Sequence, residues 1–438
     1  MESRSTAGLG DPALDANSGS TQAQIESLVF ENLVTFDDSG AMQPKLATGW
    51  QHSADYKRWE IEIRGDVKFQ NGQPLTSALV AESLKRSRVI ANARVSAESG
   101  HVVVESDVAM TDLLAELAKP ENAIAARSTT GELSGTGPFK PAARQQGQVI
   151  SLVANDDYWG GRPYLDGVEI TLGRSERDQM IDMELGKADV IELDVDQVRQ
   201  AQQMGTRAVS SEPSELLALV FNPASISARD ERVRRTLALT IDRNSICNVL
   251  LQRQAEPSAA LLPQWMTGYA FLFPSGRDVE RAREQQLKSA SLVLDYDFSD
   301  AAAKAIAERI AVNAREAGIV VQAVGENLAT RTGSGDATIT RIRLGSVDAK
   351  TALENAAATL SIQAPEELQR AHGPEQLYGA EQAMLANHRI IPIAHVPETY
   401  GLSARVKDWA GTLDSGWRLE EVWLAGTGAT TVSSEGRQ

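Results

Sequence analysis

One cysteine and five histidines in 438 residues leave little material for metal or thiol chemistry. Cys247 has no second cysteine to pair with, so an internal disulfide is excluded. It sits in an apolar helical stretch with Ile246, Val249 and Leu250, which reads as a buried structural thiol. The histidines (His52, His101, His372, His388 and His395) include no pair at helical metal spacing, so no metal is expected. The chain has no Gly-x-Ser-x-Gly elbow, no Ser-x-x-Lys and no Gly-Lys-Ser/Thr loop, and no Gly-x-Gly-x-x-Gly follows a strand. The glycines of Gly135-Thr136-Gly137 run into Pro138, which lacks the amide that a phosphate cradle would use. No catalytic residue and no cofactor is therefore expected, and a hydrolase is disfavoured. Basic residues are also short: 43 Lys and Arg against 59 Asp and Glu give a net charge of −16. That balance argues against nucleic acid and against an anionic membrane surface as partners. No run has the length of a transmembrane helix, and the first residues lack an apolar signal region.

What is present is an ordinary globular composition, 42% apolar and 23% charged, in a chain long enough for two or three domains. The stretch from 135 to 193 organises it. Residues 148–153 read as a short apolar strand, 159–167 as a turn rich in glycine and proline, and 168–172 as a second strand. A helix capped by Ser175 follows, with Met180, Met183 and Leu185 as its apolar side and Gly186 as its stop, before an apolar strand at 190–193. Earlier, Ile25, Leu28, Val29 and Leu33 share one face of a helix predicted over 20–33. Residues 59–64 alternate as a strand with one wet face, and Thr76 can cap a helix over 77–88. Residues 101–104 read as a strand and 110–117 as a short helix. Later, 216–221 is apolar throughout, as suits a strand buried on both faces, and it stops at Asn222-Pro223. Residues 291–296, 300–317 and 319–324 form a strand, helix, strand unit and imply a parallel pair. Further strands are expected at 339–344 and 390–395, and further helices at 352–361 and 377–385. Residues 425–438 are small and polar and are expected to be disordered.

Three segments resemble one family in its own order: Gly135-Thr136-Gly137-Pro138-Phe139, Asn155-Asp156-Asp157-Tyr158-Trp159-Gly160-Gly161-Arg162-Pro163-Tyr164-Leu165-Asp166, and Leu185-Gly186-Lys187-Ala188-Asp189-Val190. The family is solute-binding protein family 5, the extracytoplasmic receptors of ATP-binding-cassette importers for peptides, nickel complexes, some oligosaccharides and opines. The resemblance implies an α/β chain with the two-lobed periplasmic binding protein fold (type II, cluster C-like) and a small extra subdomain. Lobe I would comprise 1–40, 135–220 and 404–424, its subdomain 41–134, and lobe II 221–403. It implies a noncatalytic, monomeric receptor, periplasmic or extracellular and membrane-tethered in some members, that takes a peptide-like or anionic organic solute and delivers it to a membrane permease. A sensory module that keeps the fold and signals through a protein partner is the alternative reading. Such receptors carry a leader and a first strand ahead of a segment like Asp11-Pro12-Ala13, so Met1 would fall inside that strand.

The ligand should lie between the lobes, where closure wraps it and excludes water. Candidate residues are Asn17 in the loop after the first strand, Trp265 and Tyr269, which stack on a solute or fill a core, and the 341–348 segment. Peptide-binding relatives carry an aspartate at the position of Gly345, with Asp348 as a shifted substitute. Arg341 and Arg343 alternate, so both guanidiniums share one side of a strand. Facing the cleft they favour a carboxylate or phosphate; facing solvent they are ordinary surface residues. The hinge is expected at the crossings near Phe221, Asn222, Tyr400 and Leu402.

Overall fold

Two long antiparallel strands, Arg207–Phe221 and Ile390–Leu402, run through both halves of the molecule and form its axis. The computed structural model describes residues 1–4, 9–13, 21–86, 90, 92–142, 148–195, 197–285, 287, 290–327, 335–371, 373–410 and 416–426. Asn17, His372 and residues 427–438 lie outside the described residues. Every residue of Ile390–Leu402 is buried, so the apolar segments expected at 216–221 and 390–395 are parts of longer strands. Their pairing slips between Ser210 and Pro213, between Pro213 and Glu215, and again between Leu217 and Ala218. Pro213 stands opposite Pro397 in the first of these irregular stretches, and a proline cannot donate to the ladder.

At one end, Val190–Leu193 pairs with 399–402, and Glu2 bridges Ile191 and Thr171, linking this edge to the antiparallel strands Gly167–Thr171, Val149–Ala154 and Phe139–Pro141. Ile25, Phe139, Ile170, Leu402 and Trp417 meet in the core of this first lobe. A satellite sheet in the order 47–52, 58–63, 101–105, 94–98 packs on the helix Ser77–Leu84 around its own core. Its alternation follows from sequence: Trp59 and Ile61 are buried, while Glu62 is exposed.

At the other end, Ala337–Arg343 pairs antiparallel with Arg207–Phe221 and parallel with Ala290–Asp297, which pairs in parallel with Ile319–Glu326. The helix Ala301–Arg315 connects the parallel strands and buries Ala303, Ile306, Ala307, Ile310 and Ala314 at helical spacing. Each of those isoleucines contributes about 1.5–3 kcal/mol by leaving water. Apolar cores fill both faces of this second-lobe sheet.

The motif glycines owe their identity to close backbone approach. A Cβ on Gly135 would lie 1.9 Å from the Val29 carbonyl oxygen, and one on Gly137 would lie 2.7 Å from that of Leu28. Gly137 N–H donates to Val29 O and Phe139 N–H to Leu28 O. The Thr136 hydroxyl, the Tyr158 hydroxyl and the Trp159 indole all donate to the fully buried Glu31 carboxylate at 2.8–2.9 Å. The signature residues are thus a clasp that fastens the first-lobe helix to its sheet.

That clasp also corrects the helix expected over 20–33. It spans only Thr21–Ser27, because the Leu28 and Val29 carbonyls turn to the 137–139 segment instead of continuing the helix. Ile25, Leu28, Val29 and Leu33 are nonetheless all buried. Leu185 is a second correction: it is the C-cap of the helix Glu176–Glu184 and 62% exposed, leaving Met180 and Met183 to make the apolar contact. Ser175 caps that helix through Asp178 N–H, and Gly186 ends it at φ +67°.

Candidate functional site

Between the lobes lie two adjoining cavities of about 130 and 440 Å³ that share Ala115 and Thr351 in their walls. The smaller is faced from the first lobe and its satellite by Gln24, Lys45 and Lys119, and from the second lobe by Arg343 and Ser346. Among the described residues its lining holds three cationic side chains and no carboxylate. The larger is lined by Asp112, Glu116, Asp348 and Glu354, with Lys350 as its one cation among the described residues. Cationic side chains thus face the smaller cavity and acidic ones the larger, although each of the three cations is also paired with a carboxylate, Lys45 with Glu31 at 3.7 Å.

Arg343 is the hub of the cationic end. Its guanidinium lies 2.8 Å from Glu398 and 3.3 Å from Glu215, and it donates to Thr21 Oγ1 at 3.0 Å and Gln24 Oε1 at 3.2 Å. The acids come from the two axial strands and the neutral acceptors from the first-lobe helix, so one side chain ties the second-lobe sheet to both. Gln24 also donates to Glu398, as does the Tyr400 hydroxyl, which in turn accepts from the Trp417 indole. Burial works against the Arg343 charge, but Glu398 and Glu215 outweigh it and hold the guanidinium more firmly protonated than usual. Burial pushes the Glu215 carboxyl up, with Arg343 opposing.

Arg341 makes the next connection, reaching Asp194 at 2.9 Å and Asp300 at 3.3 Å. Asp194 also meets Arg4 at 2.8 Å. Burial disfavours its charge, yet the Arg341 and Arg4 guanidiniums prevail and keep its carboxyl well below the usual carboxylate range. Burial and then Asp194 push the neighbouring Glu176 up to about 9. Two lysines complete the closure: Lys119 bonds Glu116 and Glu354 at 2.7 Å each, and Lys350 reaches Asp112 across the cleft.

Residues 41–360 match the family described as bacterial extracellular solute-binding proteins, family 5. The chain belongs to that family. The nickel-binding protein NikA of Staphylococcus aureus is 27% identical over 253 residues, covering 55% of this chain and 51% of its own, so the match spans about half of that relative. The probable D,D-dipeptide-binding periplasmic protein DdpA of Escherichia coli is 24% identical over 364 residues, 74% of this chain and 70% of its own. Among solved structures, Staphylococcus aureus NikA in complex with Ni(L-His)2 superposes with a TM-score of 0.81 at 18% identity, covering 97% of this chain and 99% of that one. Bacillus subtilis AppA with a nonapeptide gives a TM-score of 0.75 at 16% identity, over 97% and 98%. The family 5 fold, two lobes about a cleft, is common to all of them.

Within this family 5 cleft the predicted residues divide. Arg341 and Arg343 lie on one side of their strand, with Ile342 buried in the core on the other, and both are held in ion pairs. Only Arg343 lines a cavity. Asp348 lines the larger one, and its carboxylate caps the helix Ala349–Thr359 by accepting from Thr351 N–H at 2.8 Å and Oγ1 at 2.7 Å. Tyr269 also lines it, set edge-on to Tyr378 with ring centroids 5.5 Å apart. Trp265 lines neither cavity; its indole donates to Pro213 O at 2.9 Å, on the irregular part of the axial strand. Gly345 lines the smaller cavity at φ +65°. Phe221 is packed in the second-lobe core, Asn222 is bonded to 335–336, and Tyr400 and Leu402 sit in the first-lobe core.

Sequence reasoning missed Gln24, Lys119, Asp194, Glu215, Lys350 and Glu398. Their signal is faint but present: Glu398 is the single acid of a fully buried strand, and Glu215 borders the apolar run 216–221; a buried carboxylate there requires a cationic partner. Among the described residues no group of three or more His, Cys, Asp or Glu could hold a metal ion, and no helix is long and apolar enough to cross a membrane. His395 is buried with Nε2 3.0 Å from Leu261 O, and His52 stacks on Tyr56.

Proposed function

We propose that this family 5 chain is the extracytoplasmic receptor of an ATP-binding-cassette importer, which captures a small solute between its lobes and hands it to a membrane permease. The names of its relatives, which bind nickel or peptides, support uptake as the role. The bipolar cleft carries the choice of solute. A cationic cavity holding Arg343, Lys45 and Lys119 adjoins one walled by Asp112, Glu116, Asp348 and Glu354, which favours a molecule with a carboxylate at one end and an ammonium at the other. Short peptides and amino-acid conjugates have that form. The chain captures its solute as a monomer and makes or breaks no covalent bond.

Capture follows from the geometry of the crossings. The bending belongs to the slipped stretches around 210–215 and 396–399, where proline has removed ladder bonds. Phe221 and Asn222 on one side, and Tyr400 and Leu402 on the other, are the clamped ends. Lys119–Glu354, Lys350–Asp112 and Arg341–Asp194 span the cleft and add to closure once the solute has filled it.

Thermal unfolding against four classes tests this reading: a dipeptide, a dicarboxylate, a neutral oligosaccharide and a nickel–histidine complex. A ligand at about 100 times its Kd adds roughly 2.7 kcal/mol to stability. A shift with the zwitterionic class, abolished by Arg343→Met, supports it. A shift with the oligosaccharide alone, indifferent to Arg343, contradicts it.

A further inference from the structure

A third cavity, of about 540 Å³, lies in the second lobe and shares no lining residue with the cleft. It is bounded by the helix Glu231–Thr240, the segment around 273–281 and the start of the axial strand at Ile390. Four arginines (Arg235, Arg243, Arg277 and Arg281) line it, against one acid among the described residues, Asp278. In a chain of net charge −16 that concentration of cations runs against the composition.

Among the described residues little neutralises these cations. Arg277 is bonded to Glu316 at 2.5 Å, and the Asp278 carboxylate is engaged as the cap of the helix Val279–Arg283, accepting from Arg281 N–H at 2.9 Å. Arg235 and Arg281 make no ion pair with a described residue. Arg243 is buried, and its guanidinium donates to backbone carbonyls: Ser258 and Pro392 at 3.1 and 2.8 Å, then Ala238 and Ser275 at 3.4 Å. Burial lowers its proton affinity to about 10, which leaves it charged at neutral pH with no carboxylate of a described residue against it. The remaining wall is apolar, with Leu239, Phe273, Ile390 and Ile391. A volume of several hundred Å³ combining an apolar wall with a few charged groups is typical of a small-molecule site.

We propose that this cavity is a second ligand site, for an organic anion that joins a phosphate or carboxylate head to an apolar body of about one aromatic ring. The head would sit against Arg235, Arg243 and Arg281, and the ring against Leu239 and Phe273. Arg243 is fixed by its carbonyl partners and supplies standing positive potential. Arg235 and Arg281 close on the anion from the rim.

Isothermal titration of the full chain with phenyl phosphate, 3-phenylpropionate and benzyl alcohol tests the assignment. The expected result is saturable one-to-one binding of phenyl phosphate or 3-phenylpropionate, whichever head the arginines prefer, and none of the alcohol. Arg235→Gln with Arg281→Gln should weaken binding by at least about tenfold, since each charge-assisted bond is worth about that factor. Arg343→Met should leave it unchanged, which separates this site from the cleft. Absence of saturable binding, binding unaffected by the arginine pair, or binding lost with Arg343→Met would each overturn the proposal. Both substituted arginines are at least partly exposed, and an unchanged unfolding midpoint of the double variant confirms that the fold is intact.

Discussion

Removing the Arg343 guanidinium should destabilise the protein even without solute, and the effect should depend on pH in a defined sense. Arg343→Met keeps most of the aliphatic volume but leaves Glu398 and Glu215, whose side chains are 5% and 15% exposed, without their common cation. Breaking a buried pair by deleting one partner costs about 3–5 kcal/mol, and the 15% exposure of Arg343 itself places this case near the lower bound, about 3 kcal/mol. Two stranded carboxylates, one of them already pushed up by burial, would then take up protons more readily in the folded chain than in the unfolded one. A raised folded-state pKa gives stability that is present at low pH and lost as pH rises through it. The variant's deficit should therefore be small near pH 5 and full near pH 8. The triple variant Arg343→Met, Glu215→Gln, Glu398→Gln should recover to within about 1 kcal/mol of the parent, because replacing a whole buried ion set is close to neutral. Urea unfolding followed by tryptophan fluorescence and circular dichroism at both pH values is the assay. A deficit under about 1 kcal/mol that is the same at both, the behaviour of solvent-screened surface pairs, would refute the reasoning.

Substitutions at three other positions have defined outcomes. Gly135→Ala should prevent accumulation of folded protein or cost more than about 3 kcal/mol, because its Cβ would meet Val29 O at 1.9 Å; a stable, soluble variant would show that the 135–137 segment can move away. Glu176 has its carboxyl raised to about 9, so its contribution is complete below the ordinary Glu value and lost as pH rises toward 9; Glu176→Gln should gain stability relative to the parent between pH 5 and 9, and parallel stability curves would contradict the assignment. Asp348→Ala removes the cap of the helix Ala349–Thr359 and should cost about 1 kcal/mol in a denaturant titration, whereas Asp348→Asn should cost less.

Much of the fold was readable because its signals are local. The 290–326 unit announces itself through alanine and isoleucine at helical spacing and a glycine at φ +79° that ends the helix. The satellite strand Arg58–Ile63 alternates, and the Ser175 and Thr76 caps are each a single residue ahead of its helix. Asp348, expected at the ligand, is instead the cap of a helix that starts three residues before the expected 352. The helix expected over 20–33 ran too long because its apolar face continues past Ser27, while competition from the 137–139 amides for the Leu28 and Val29 carbonyls lies more than a hundred residues away. The site was only half readable for the same reason. Alternation put Arg341 and Arg343 on one side of a strand, but their partners Thr21, Asp194, Glu215 and Glu398 come from four separate parts of the chain. Nothing near 341–343 says that both guanidiniums are held in ion pairs, or that Arg343 alone reaches a cavity.

Distance across the cleft tests the central claim most directly. Spin labels at Asp107→Cys and Glu367→Cys, both exposed positions on opposite sides of the cleft, in a Cys247→Ala background would report lobe separation by pulsed electron resonance. The account predicts a broad, longer distribution without solute that shortens and narrows when a binding zwitterionic solute is added, and no such change for that solute in the Arg343→Met chain. A distribution that stays the same while calorimetry shows the solute bound would contradict capture by lobe closure.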